Sequence, residues 1–348
     1  MRIAQVAPIY EAVPPYRYGG TERIVSYITE GLVRGGHDVT LFASGDSRTA
    51  ARLEAVTPQA RRLDPKSREV ISADMVCGLD RVFSHADDFD VIHCHVDYPA
   101  FPFTRYVRTP TVHTLHGRLD IPELERVFSQ FRTVPLVSIS DAQRAPLEQF
   151  GVTWAATVHH GIDIAEFPFV AERGTYLAFL GRVSPEKGPD DAIDVARRAR
   201  VPLRIAAKID ASDEPYFEEA VAPLLDDPLV NYLGEVSQGK KAAFLGGASA
   251  LLFPIDWPEP FGLVMIEAMA CGTPVIARPR GSVPEVIVPG VTGFIAETLD
   301  DFVAAVERLD TIDRAACRRH VEERFTIERM VEDYEAVYRR LASTARAA

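Results

Sequence analysis

The segment Asp256-Trp257-Pro258-Glu259-Pro260-Phe261-Gly262-Leu263-Val264-Met265-Ile266-Glu267 sets two carboxylates eight positions apart, on either side of a glycine. The apolar run before it predicts a strand ending at Phe253. A proline-rich loop follows, then a helix from Gly262 to Ala270. The first amides of a helix lack internal partners and carry the positive end of its dipole. A glycine there lets an anion come close to the backbone, which makes phosphate binding cheap. Glu267 sits among Val264, Ile266, Ala268 and Met269. A carboxylate in such surroundings needs donors, which either two ribose hydroxyls or a buried arginine would supply. Glu259, on the loop, is placed to meet a sugar or else lies exposed on a turn.

A second group is Gly181-Arg182-Val183-Ser184-Pro185-Glu186-Lys187-Gly188, directly after the expected strand Tyr176–Leu180. Arg182 can grip an anion with a planar fork and Lys187 as a point charge, so the pair could neutralise a diphosphate. The string is not a Walker loop, and Gly-x-Gly-x-x-Gly is absent from the chain. A third is Gly19-Gly20, ending a long loop after the first strand, with Thr21 as a possible N-cap. Lys208 and the turn Arg280–Glu285 follow other strands, at the same expected edge. His116 ends the strand Thr111–Leu115, where it could touch a sugar. His93 and His95 share a strand face, but nothing in the chain completes a zinc-like ligand set. His159 and His160, at the junction between halves, read as structural.

Those residues sit in a chain of 348 residues with 47% apolar and 25% charged side chains, enough for two cores. The net charge of −12 argues against a nucleic-acid partner. It is uneven, with 17 basic and 20 acidic residues in 1–165 against 21 and 30 in the remainder. The expected phosphate-binding cations therefore lie in the more acidic half. Only five of the 38 basic residues are lysines, which makes Lys187 and Lys208 informative. The four cysteines have neither metal nor disulfide spacing, no apolar run reaches spanning length, and Met1 leads straight into a strand. These features predict a cytoplasmic protein with no membrane association.

Short Val- and Ile-rich runs alternate with helical patterns, which predicts parallel, doubly wound α/β sheets. The first series of strands is Ile3–Ala7, Asp38–Phe42, Val91–His95, Thr111–Leu115, Leu136–Ser138 and Ala156–Val158. The second is Tyr176–Leu180, Leu203–Ala206, Val230–Leu233, Ala250–Phe253, Pro274–Ala277 and Gly293–Ile295. Helices are expected between them, among others over Thr21–Arg34, Asp141–Phe150, Glu214–Leu225 and Gln238–Gly246. A turn-rich stretch, His160–Arg173, separates the series. Two Rossmann-like domains follow, 1–160 and 161–325, facing each other across a cleft, with 326–348 a helix packing back on the first. Loops Tyr10–Tyr18, Ala43–Lys66 and His95–Thr109 are expected to shape the acceptor side.

At these residues the chain resembles the retaining nucleotide-sugar glycosyltransferases of the glycogen-synthase-like family 4, with the GT-B fold. The resemblance runs in order through Gly19-Gly20, His93, His116, Gly181-Arg182…Lys187-Gly188, Glu259-x7-Glu267 and Val291-Thr292-Gly293-Phe294. Ala206–Asp210 with Asp213–Phe217 is similar to a bacterial subgroup that includes the avilamycin-pathway sugar transferase. The resemblance implies that Arg182 and Lys187 hold the donor diphosphate and that Glu267 binds the ribose. It implies that Glu259 and the backbone of Phe261, Gly262 and Leu263 hold the sugar and phosphate. Gly19 or Gly20 would approach the diphosphate, Lys208 would belong to the donor side, and His116 would touch the sugar. It further implies retention of anomeric configuration, no metal or other cofactor, UDP as the favoured nucleotide, and a small-molecule or oligosaccharide acceptor. Arg280-Gly281 departs from the Gly-Gly frequent in relatives. Competing readings are a nucleotide-sugar 2-epimerase, a phosphorylase of the same fold, or a non-catalytic nucleotide-sugar binding module. Oligomeric state has no signature in the sequence.

Overall fold

A computed structural model describes residues 1–16, 19–62 and 68–347. Arg17, Tyr18 and residues 63–67, parts of the loops expected on the acceptor side, lie outside the described residues. The chain forms two compact units, Met1–Gly161 with Ile327–Ala348, and Ile162–Thr326.

The first unit is built on a seven-stranded parallel sheet in the order β3-β2-β1-β4-β5-β6-β7. Its strands are β1 (Arg2–Val6), β2 (Asp38–Ser44), β3 (Arg52–Thr57), β4 (Val91–Cys94), β5 (Thr111–Thr114), β6 (Leu136–Ser138) and β7 (Trp154–Thr157). The central strands are apolar because helices cover both faces. The edge strand β3 falls inside the stretch expected as loop. Its sequence RLEAVT carries Arg52 and Glu54 toward solvent and so lacks the apolar run that marks a buried strand. The helix expected over Asp141–Phe150 is instead a 3₁₀ run, Ala142–Phe150. Pro146 has no N–H to give and crowds the preceding turn.

Helix Gly20–Arg34 buries Ile24, Val25, Ile28 and Leu32. Helix Ile327–Ala347 packs on it closely, for a Cβ added to Gly31 would lie 2.5 Å from a Val331 methyl. At its far end His37 Nε2 meets Glu335 at 2.9 Å. Tyr334 and Tyr338 of the same helix are fully buried and send their hydroxyls toward the sheet.

The second unit holds a six-stranded parallel sheet in the order β10-β9-β8-β11-β12-β13. These strands are β8 (Tyr176–Arg182), β9 (Leu203–Lys208), β10 (Val230–Tyr232), β11 (Ala248–Phe253), β12 (Val275–Ala277) and β13 (Gly293–Ile295). The single helix expected over Glu214–Leu225 is broken into short α, π and 3₁₀ turns. Pro223 removes an amide that a continuous helix needs, while Pro215 sits in the first turn, where amides have no partner within the helix. The helix Arg314–Arg324 fastens this unit through the buried guanidinium of Arg314. It donates to the carbonyls of Val170 at 2.8 Å and of Ala248 and Gly246 at 3.0 Å, and to Thr273 Oγ1 at 3.0 Å. Two of these oxygens end a helix or open a strand and would otherwise be buried without a partner.

Gly293, in the Val-Thr-Gly-Phe string, pairs with Val275 in the ladder between β12 and β13. A Cβ there would come within 1.9 Å of the Val275 carbonyl oxygen. Gly293→Ala is therefore expected to cost about 3 kcal/mol through backbone displacement at a packed strand. Urea unfolding followed by circular dichroism measures it, and an unchanged midpoint would disprove this account of the motif.

Candidate functional site

In the second unit the winding of the sheet reverses between β8 and β11. The loops that leave the carboxyl ends of these two neighbours are thrown apart in connectivity but start side by side, which is where doubly wound sheets bind ligands. The loop after β8 closes a tight turn, with the Lys187 amide donating to Ser184 O at 3.0 Å, and reaches Gly188 at φ 64°. A Cβ at Gly188 would lie 2.7 Å from the Pro254 carbonyl, so only glycine lets the two loops approach this closely. The Asp256 amide donates to Glu186 O at 2.9 Å and ties them together.

From that junction Lys187 Nζ reaches Glu259 Oε2 at 2.5 Å and lies 4.5 Å above the Trp257 ring centre. Trp257 Nε1 donates to the same oxygen at 3.0 Å. Gly262, at φ 77°, is the N-cap of helix Leu263–Ala270. Its missing side chain would fall 3.4 Å from Glu259 Cγ and 2.7 Å from the Met265 methyl. Lys187, Glu259 and the helix start at Gly262–Leu263 thus share one small region. Phe261 is buried beneath it against Phe325, with ring centres 5.9 Å apart. The turn after β12 props the loop from behind. The Ser282 amide donates to Glu259 O at 2.9 Å and its hydroxyl to Phe261 O at 2.8 Å. Gly281 has no room for a Cβ, which would stand 2.2 Å from Glu259 O.

Arg182 and Lys208 are cross-strand partners at the ends of β8 and β9. Arg182 is paired with Glu186 and lies 3.6 Å from Asp213 and 3.7 Å from Asp210, while Lys208 Nζ meets Asp210 at 2.5 Å. Glu267, only 3% exposed, pairs with Lys241 of helix Gln238–Gly246 at 2.7 Å, not with an arginine. The positive spot expected from the sequence is therefore a set of ion pairs in which Glu186, Asp210, Glu259 and Glu267 each hold a cation. The signal that pointed to Lys241 was present, because lysine is scarce in this chain and Lys240-Lys241 is its one doublet.

In the first unit the order reverses between β1 and β4. The loop from β1 ends at Gly19, the N-cap of the helix that starts at Gly20. Thr21, expected as the cap, lies inside the first turn, and Gly19 at φ 149° makes no side-chain cap bond. A Cβ on Gly19 would strike Pro15 at 2.8 Å.

His116 follows β5. Its Nε2 lies 2.9 Å from His95 Nδ1, its ring stacks on His160 with centres 5.4 Å apart, and its buried Nδ1 has no partner among the described residues. Burial pulls its pKa down to about 3 and holds those of His93 and His95 well below the usual range, so all three are neutral. Among the described residues no three His, Cys, Asp or Glu side chains gather as a metal-ligand set. His93 and His95 instead spend their nitrogens on Tyr338, Thr114, Gln5 and His116.

Asp97, a position not singled out in the sequence, follows β4 with φ 53° and ψ −142°, a backbone region that costs a non-glycine residue free energy. Its carboxyl accepts the His116 backbone N–H, and burial pushes its pKa up to about 6. Because the folded state holds this proton more tightly than the unfolded chain, ionisation removes stability as pH rises from the ordinary carboxylate value to about 6. Asp97→Asn, which keeps an acceptor without the charge, is expected to gain thermal stability relative to the parent chain across that window and to hold the gain above it. Parallel melting curves from pH 4 to pH 7 that never diverge would show that the Asp97 carboxyl is not raised by burial.

With this geometry in view, the family described as Glycosyltransferase Family 4 matches residues 18–166, and Glycosyl transferases group 1 matches residues 163–322. The chain is 27% identical, over 391 aligned positions covering 96% of it and 91% of the relative, to the glycogen synthase of Mycobacterium tuberculosis. A glycosyltransferase involved in avilamycin A biosynthesis superposes with TM-score 0.73 at 23% identity, covering 99% of this chain and 98% of that one. Anabaena HepE in complex with UDP and glucose superposes with TM-score 0.72 at 19% identity, covering 97% and 98%. These folds are the same two-domain GT-B arrangement of parallel α/β sheets. Matched by these two families from residue 18 to residue 322, the chain belongs to the family-4-like glycosyltransferases.

Proposed function

We propose that the chain is a retaining hexosyltransferase that takes a sugar from a nucleotide diphosphate, with UDP favoured, and gives it to a hydroxyl acceptor. The second unit would hold the donor, and the first would carry the acceptor, with Gly19, Gly20, Asp97 and His116 at its own switch point. The observation that supports this best is the convergence of Lys187, Glu259 and the Gly262 helix start where the second sheet reverses. That HepE is described with UDP and glucose favours a uridine nucleotide.

In this reading the ion pairs are placeholders. A diphosphate takes Lys187 and Arg182 from Glu259 and Glu186, and keeps them in a partly dehydrated site where charge–charge attraction is strong. Glu259, released, accepts from a sugar hydroxyl. Glu267 accepts from the ribose, with Lys241 fixing its orientation. As the anomeric C–O bond breaks, negative charge grows on the departing phosphate. Arg182, Lys187 and the helix amides from Gly262 onward stabilise it. The departing phosphate takes the acceptor's proton on the same face, so the new bond forms with the configuration kept. No pair of carboxylates on opposite faces of the sugar is required. These cations do the work a metal does elsewhere, so the proposed reaction runs without one.

Lys187→Ala is expected to cut turnover about a hundredfold, or about 3 kcal/mol, with an unchanged fold. Transfer assays with UDP-sugars would read it, and near-normal turnover would remove Lys187 from the chemistry. For the parent protein, UDP should raise the melting temperature, since a ligand specific to the folded state stabilises it. Glu267→Ala should abolish that rise, and a shift that persists in the variant would take the ribose away from Glu267. Product analysis with donor alone and with donor plus acceptor separates transfer from epimerisation.

A further inference from the structure

One continuous hydrogen-bond chain crosses the interior of the first unit. It runs from Tyr334 through Thr114, His93, Tyr338, Gln5 and His95 to His116. The contacts are Tyr334 Oη to Thr114 Oγ1 at 3.1 Å, Thr114 Oγ1 to His93 Nε2 at 2.7 Å, and His93 Nδ1 to Tyr338 Oη at 2.6 Å. From Tyr338 Oη the chain goes to Gln5 Nε2 at 3.1 Å, from Gln5 Oε1 to His95 Nε2 at 2.9 Å, and from His95 Nδ1 to His116 Nε2 at 2.9 Å.

A neutral imidazole has one donor nitrogen and one acceptor nitrogen, so each bond dictates the next. The Gln5 amide is the only member whose two ends differ in kind, and it sets the direction. With its nitrogen on Tyr338 and its oxygen on His95, His95 must carry its proton on Nε2 and leave Nδ1 as an acceptor. His116 must then donate from Nε2. The reversed amide would turn every bond around and put a proton on His116 Nδ1. That nitrogen has no partner among the described residues, and a buried N–H without an acceptor is the rarer and costlier kind of orphan.

We propose that Gln5 and His95 are positioning residues that hold His116 as its Nε2–H tautomer, leaving the Nδ1 lone pair as the ring's one vacancy. With Nε2–H committed to His95, His116 has no ring proton to give a sugar. That consequence rests on the function proposed above, while the tautomer does not.

The test is a long-range nitrogen–proton spectrum of the full chain labelled with 15N-histidine, without substrate, with His116 assigned by loss of its signals in His116→Gln. The expected result is a pyridine-like Nδ1 and a pyrrole-like Nε2 for His116, and the same pattern for His95. A pyrrole-like His116 Nδ1 overturns the proposal. Gln5→Leu should give mixed His116 tautomers and a roughly tenfold lower kcat/KM, in the range seen when a residue that orients a functional histidine is removed. Tyr338→Phe, which keeps the packing and removes the hydroxyl that anchors both the Gln5 amide and His93 Nδ1, should move the tautomer ratio the same way. If both variants keep the parent spectrum, Gln5 does not set the state. An Nε2–H tautomer in a protein that transfers no sugar would leave the relay standing and refute the function proposed for it.

Discussion

In a parallel sheet every strand ends on the same edge, but two loops can part from adjacent strands only where the order of winding reverses. The rest of the site depends on this constraint. In the second unit it brings residues 183–188 and 254–262 together although some 70 residues separate them. In the first the loop ending at Gly19 and the turn at Asp97 start from neighbouring strands. Elsewhere along either edge, consecutive connections share no such gap. The glycines follow from the same crowding. Gly188 and Gly281 stand where one backbone presses on another, Gly262 where the Met265, Glu259 and Phe253 side chains close in, and each is held at positive φ. They permit contact between loops whose side chains then do the chemistry.

Much of this was legible in the sequence for a local reason. Both sheets announce themselves by short apolar runs, since their central strands are buried on two faces. The Glu259-x7-Glu267 string and the Gly181–Gly188 loop could be placed at strand ends by counting. What was not legible depends on partners distant in sequence. Composition shows cations in an acidic half but not that Lys187 rests on Glu259, 72 positions away, or Lys241 on Glu267. Edge strand β3 has no buried run to find. The twelve-residue pattern at Glu214–Leu225 looks helical by periodicity and fails toward its end, where Pro223 has no amide to give. Asp97 is distinguished by a backbone angle, which no residue type reveals on its own.

Charge in the second unit is balanced at short range. A carboxylate that holds each cation in place costs affinity, because a diphosphate must displace it. It also avoids a worse expense, that of several like charges facing one another with no counterion in a half-buried site. The cations are thereby kept extended toward the switch point without ligand. Trp257 contributes to this by presenting its ring face to Lys187 and its N–H to Glu259, so both members of the pair are oriented by one side chain. Orientation before binding is what electrostatic stabilisation of a leaving group requires.

The two units solve the problem of interior polarity differently. The second uses charge matched to charge near its loops. The first uses neutral groups in series, and the series begins on helix Ile327–Ala347, which the chain adds after the whole second unit. Without Tyr334 and Tyr338, His93 and Gln5 would each lose a partner in a fully buried place, and the cost of unsatisfied polar groups there is high. All seven strands of the first sheet lie within residues 1–161, but its polar interior is complete only with that helix in place. The same helix that closes the hydrophobic face over Gly31 also completes the histidine relay, so packing and the state of His116 are settled in one step.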